Sequence, residues 1–97
     1  MAPIKFVRDT GNHRVPREVI PIVRSLEKIA GVERVDYGNF IGEGSSTRPR
    51  IEPRGYDEQN KTLKIRINDS RYAQIIFVRT NVEHLKSITD FIKDYKF

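Results

Sequence analysis

The chain contains no cysteine, which excludes disulfides, thiolate zinc sites, iron–sulfur clusters and cysteine nucleophiles together. Its stability therefore has to come from packing. Histidine is scarce, with only His13 and His84. No stretch approaches the ~18 consecutive apolar residues of a membrane span. The opening Met1-Ala2-Pro3-Ile4-Lys5-Phe6 lacks the charged-then-apolar order of a secretory signal. A soluble, cytoplasmic protein with no membrane partner is expected.

What is present suits one domain. Ninety-seven residues, 37% hydrophobic and 32% charged, supply one core and leave no room for a second, so residues 1–97 read as a single α+β domain. Eighteen Lys and Arg against thirteen Asp and Glu give a net charge of +5, which favours a polyanionic partner. The excess is unevenly distributed. Residues 45–79 carry eight basic and four acidic groups, whereas residues 25–44 carry two and four.

Val19, Ile22, Val23, Leu26, Ile29 and Ala30 recur at helical spacing and predict an amphipathic helix from about 17 to 30, ended by Gly31. Pro16 suits its first turn, while Pro21 requires either a start near residue 20 or a kink. Residues 32–37 alternate as a strand that ends at Gly38 or resumes through Phe40 and Ile41. Beyond the loop 42–47, Arg48 to Tyr56 reads as extended, with Pro49 and Pro53 confining it to a sheet edge. Leu63, Ile65 and Ile67 alternate with Lys64 and Arg66, the pattern of a half-buried strand over 62–68. Residues 72–79 are apolar enough for a central strand. Thr80-Asn81-Val82-Glu83 matches a capping box and opens a second helix over 81–95, striped by Leu85, Ile88, Ile92 and Tyr95. Residues 4–8 read as a short additional N-terminal strand. The expected architecture is an antiparallel three- to four-stranded sheet in helix–strands–helix order, with both helices on one face. Leu26, Ile65, Ile76 and Ile88 are expected in the core.

Alternating residues of a strand share a face, so Lys64 and Arg66 are expected on one cationic surface with Arg48, Arg50 and Arg54 of the neighbouring segment. Such groups contact phosphates and supply most non-specific nucleic-acid affinity. Tyr56, like Tyr37, Phe40 and Tyr72, lies in or near the same sheet, where an exposed ring would stack on an unpaired base. Gln74 is the one polar residue of an apolar strand; its amide is expected to face the basic surface or solvent. The plainer alternative is a solvated face that blocks edge aggregation, with the aromatics in the core. The loop 42–47 has the composition of a phosphate loop but lacks the Walker lysine and spacing. His13, with Arg14 and Arg17 nearby, is the histidine better positioned for function, and His84 reads as a surface residue. Neither histidine has more than one carboxylate close in sequence, short of the three or four ligands a zinc site needs.

His13-Arg14-Val15-Pro16, the helix through Pro21-Ile22, Val32-Glu33-Arg34-Val35-Asp36-Tyr37-Gly38, Leu63-Lys64-Ile65-Arg66-Ile67 and Gln74-Ile75-Ile76-Phe77-Val78-Arg79-Thr80 form a pattern over residues 13 to about 88. It resembles a family of small uncharacterised prokaryotic proteins described as predicted metal-binding. In that family the metal goes with a paired-cysteine knuckle ahead of the histidine, and this chain has none. The resemblance implies importance for His13, Gly38 and Gln74, without an established activity.

These features point to a small, basic, non-catalytic accessory protein that binds nucleic acid, RNA or single strands foremost, without a cofactor or metal. One alternative is a protein-interaction or inhibitory module whose basic face meets an acidic protein. Another is a metal-independent nuclease using His13 and His84 as acid and base. Zinc, manganese or nickel is expected to leave the melting temperature unchanged, because a full coordination shell is hard to assemble from these residues. A clear rise in a thermal scan with added metal would restore the metal-binding reading.

Overall fold

The computed structural model describes residues 6–8, 14–41, 48–69 and 72–96; His13, residues 4 and 5 and the loop 42–47 lie outside them. A short hairpin of β1 (Phe6–Arg8) and β2 (Arg14–Pro16) precedes helix α1 (Val19–Glu27). Then come β3 (Val32–Ile41), β4 (Arg50–Asp57), β5 (Thr62–Asn68) and β6 (Ala73–Thr80). A 3-10 turn, Val82–His84, leads into α2 (Leu85–Asp94). The four longer strands form an antiparallel sheet in the order β3-β6-β5-β4. Successive hairpins join β4, β5 and β6, and β3 lies beside β6, which is Greek-key order. The class is α+β, in the helix–strands–helix order that the periodicities predict.

One face of this sheet is covered. Helix α1 buries Val19, Ile22, Val23 and Leu26, the i, i+3, i+4, i+7 stripe of an amphipathic helix. Helix α2 buries Ile88 and Ile92. Both sets meet Leu63, Ile65 and Ile67 of β5 and Ile76 and Val78 of β6 in one cluster. Those sheet residues share a face, since Leu63 lies opposite Val78 and Ile65 opposite Ile76. Both helices therefore lie on the same side, α1 against β3 and α2 against β4. Among the described residues no helix is long and apolar enough to cross a membrane.

The first helix is shorter than its apolar pattern. It starts at Val19, so Pro21 falls within the first turn, where a missing N–H deprives the helix of no bond. Pro16 lies outside it, as the last residue of β2. Residues 28–30 close the helix as a turn, with Ile29 N donating to Leu26 O at 3.1 Å, and Gly31 takes φ +91°, a conformation open to glycine.

The capping box does not form. Thr80 is fully buried at the end of β6, and its hydroxyl donates to the Gly31 carbonyl at 2.8 Å. The turn before α2 begins after Asn81, with no side-chain cap. Burial decides this: a hydroxyl inside the protein takes the acceptor within reach there.

Leu26, Ile65, Ile76 and Ile88 are all 0% exposed. Leu26→Ala is expected to lower stability by about 2–5 kcal/mol, the usual range for a core leucine. A urea denaturation midpoint identical to the parent's would remove Leu26 from the core.

Candidate nucleic-acid interface

The face away from the helices is built by alternation. Across the sheet, Lys64 lies opposite Gly55 on β4 and Phe77 on β6, and Phe77 in turn lies opposite Asp36 on β3. In the next row Arg66 lies between Glu52 and Ile75; in the row on the other side Thr62 lies between Asp57 and Arg79, with Arg34 beyond. Lys64 is exposed and Arg66 half-buried.

The arginines of β4 flank this face but do not stand free. Glu52 forms ion pairs with Arg50 Nη2 at 3.9 Å and with Arg54 Nη1 at 3.5 Å. Arg34 pairs with Asp36 at 2.7 Å, and Arg79 with Glu33 at 3.7 Å. Lys64 and Arg66 have no ion pair among the described residues, and Arg66 Nε is buried without a hydrogen-bond partner. Arg48 is exposed just ahead of β4. Arg17 is exposed in the turn before α1, away from this sheet face in sequence, and Arg14 belongs to β2.

Two expectations are overturned. Gln74 faces neither solvent nor the cations: it is fully buried, opposite Ile67 and on the same side of β6 as Ile76 and Val78. Its Nε2 donates to the carbonyls of Gly38 at 3.2 Å and Ile75 at 3.0 Å, beside the one-residue bulge where β3 slips between Tyr37 and Phe40. Its Oε1 has no partner among the described residues. Counting by twos from Val78 leads to this face once the pairing of Val78 with Leu63 shows which side is inward. Tyr56 also faces the helix side, opposite Leu63, and its hydroxyl donates to Thr80 O at 2.7 Å. Burial first, then the carboxylates of Glu58, Asp57 and Glu33, holds its phenol above the ordinary value. A ring fixed in this way is no platform for a base. Tyr72 is likewise core.

Among the described residues the aromatic on the outer face is Phe77, half-buried. It is accommodated by Gly38, because a Cβ there would lie 2.6 Å from Phe77 Cε2 and 3.0 Å from Ile75 O. His84 is half-buried rather than superficial. Its ring packs over Gly31, which a Cβ would turn into a clash, and Nε2 lies 3.6 Å from Glu83 Oε1. No three metal-ligating side chains gather among the described residues.

At the tip of the β4–β5 hairpin, Asp57 accepts from Gln59 N at 3.0 Å, from Asn60 N at 3.2 Å and from Asn60 Nδ2 at 2.7 Å. These bonds, that from the Asn60 side chain foremost, hold its carboxyl below the usual value. With the folded pKa depressed, the stabilisation is present above the unfolded pKa and is lost as pH falls through the folded one. Asp57 is therefore an anion at neutral pH.

Compared with family models, with curated proteins and with solved structures, the chain matches none of them.

Gly38→Ala is expected to destabilise by on the order of 1–3 kcal/mol, because the added methyl overpacks against Phe77. Combining it with Phe77→Ala is expected to recover part of that loss. A urea-denaturation cycle with additive effects would show that the ring and the glycine are not coupled.

Proposed function

We propose that the protein is a non-catalytic binder of single-stranded nucleic acid, RNA foremost, working in the cytoplasm through the sheet face turned away from its helices. The observation that carries this reading is Phe77, a ring on that face with Lys64, which has no ion pair among the described residues, beside it in register and Arg66 one row on. Stacking on one aromatic is worth ~1–3 kcal/mol per base, and cations contribute by releasing counterions from phosphates. An aromatic set in a sheet reaches only bases that are not already stacked in a duplex, which favours single strands.

Glu52 does not count heavily against it. Its contacts with Arg50 and Arg54, at 3.9 and 3.5 Å, join a half-buried carboxylate to exposed arginines, and ion pairs this open to solvent contribute about 0–1 kcal/mol. Exchange of that carboxylate for a phosphate therefore costs little. An acidic protein is the competing partner for the same cations, and salt separates the two. Nucleic-acid affinity falls log-linearly with salt, by about 0.7 in slope per phosphate contact on a single strand.

Lys64→Ala combined with Arg66→Met, in which methionine keeps an apolar stem beside Ile75, is expected to weaken binding to octanucleotides of every sequence. The slope of log K against log salt is expected to flatten by about 1.4 for two lost contacts. The melting temperature controls for folding. Unchanged affinity and slope in the folded double variant would exclude this face; a parent protein that binds no oligonucleotide at low salt would leave the acidic-protein partner as the better reading.

A further inference from the structure

The bulge in β4 opens a hollow on the same face. Pro53 lies opposite Ile65 and Gly55 opposite Lys64, so Arg54 is the extra residue of a bulge, and such bulges bend a strand. Gly55 has φ +142°, which only glycine adopts without strain, and a Cβ there would meet nothing within 4 Å. The space this leaves, about 490 Å³, is lined by Arg54, Gly55, Asp57, Asn60, Lys64 and Phe77 among others. It lies within the ~300–1,000 Å³ usual for small-molecule sites.

The lining is chemically divided. Phe77 supplies a ring, Lys64 an ammonium with no ion pair among the described residues and Arg54 a guanidinium paired with Glu52 at 3.5 Å. Across from these, the Asp57 carboxylate is locked by the turn at Asn60 and repels a second anion. A phosphate is thus confined to the Lys64 and Arg54 side, while a planar apolar group rests on Phe77 and turns its polar edge to Asp57 and Asn60.

We infer that this hollow seats one unpaired nucleotide, its base on Phe77 and its phosphate between Lys64 and Arg54. The inference rests on the nucleic-acid reading of the face and adds the position at which a base is held. No substitution with a side chain at residue 55 is compatible with it, since the side chain would enter the space the base needs.

The test is an NMR titration of the isotopically labelled full chain with adenosine 5′-monophosphate, ribose 5-phosphate, adenosine and an oligoadenylate octamer. Adenosine 5′-monophosphate is expected to shift Gly55, Asn60, Lys64 and Phe77 saturably, and to bind about fivefold or more tightly than ribose 5-phosphate, the lower end for one base–aromatic stack. Phe77→Leu is expected to abolish that difference while leaving the octamer's salt slope unchanged. Lys64→Gln, at an exposed position, is expected to weaken both phosphates and spare adenosine. Equal binding of ribose 5-phosphate and the nucleotide would reduce the hollow to an anion site and overturn the inference. Octamer shifts confined to residues around Arg34 and Arg79, with none from the mononucleotide, would also overturn it yet leave the face reading standing. No shift from the octamer at low salt would sink both.

Discussion

Thr80 ends the central strand and is fully buried, so each of its polar groups needs a partner inside the protein, and each finds one on a different segment. Its N–H donates to Lys61 O at 2.9 Å, its hydroxyl to Gly31 O at 2.8 Å, and its carbonyl accepts from Tyr56 at 2.7 Å. The end of β6 is thereby tied to the β4–β5 turn, to the residue before β3 and to β4. Leaving one such buried group unpaired costs about 1–3 kcal/mol. A register slip of one residue would break these bonds together and turn every side chain of the strand to the other face. The row Gly55–Lys64–Phe77–Asp36, on which the candidate site depends, follows from the register that this junction fixes.

The fold was largely legible because its signals are local. The stripe Val19, Ile22, Val23, Leu26 and the alternation Leu63, Ile65, Ile67 each declare a period over a few residues. The candidate site was legible only in part. Lys64 and Arg66 were found on the outer face because β5 is apolar on one side only. In β6 the residues Ile75, Ile76, Phe77 and Val78 are apolar on both sides, so alternation is erased and the outward residue is known only once β5 supplies the register. That is why Tyr56, on the helix side, stood in for Phe77, and why Gln74 was expected outside. The capping box failed for a related reason: Thr80 fits both a strand end and a helix cap, and long-range burial chose the strand.

The two glycines beside this face have different physical roles. Gly38 is small because Phe77 lies against it, an approach in which the ring covers backbone that a side chain would otherwise occupy. Gly55 is small where nothing lies against it; its positive φ serves the bulge, and the missing side chain leaves the bulge open. One glycine keeps the ring down on the sheet, and the other keeps the space beside it empty. A flat aromatic floor with an open margin and cations at its rim results from both together.

A cationic face by itself would be a routine guard against edge pairing, and the distribution of its partners is what distinguishes this one. Charges that serve solubility are usually scattered and satisfied by water or by carboxylates, as Arg34, Arg79, Arg50 and Arg54 are by Asp36, Glu33 and Glu52. Arg66 departs from that rule. Its Nε is buried and without an acceptor among the described residues, although Glu52 lies directly opposite on β4 and is engaged instead by the two arginines of its own strand. A buried donor left open carries a standing cost. With the neighbouring carboxylate already engaged, the Arg66 guanidinium is left open to an anionic ligand, as the phosphate contact proposed for it requires.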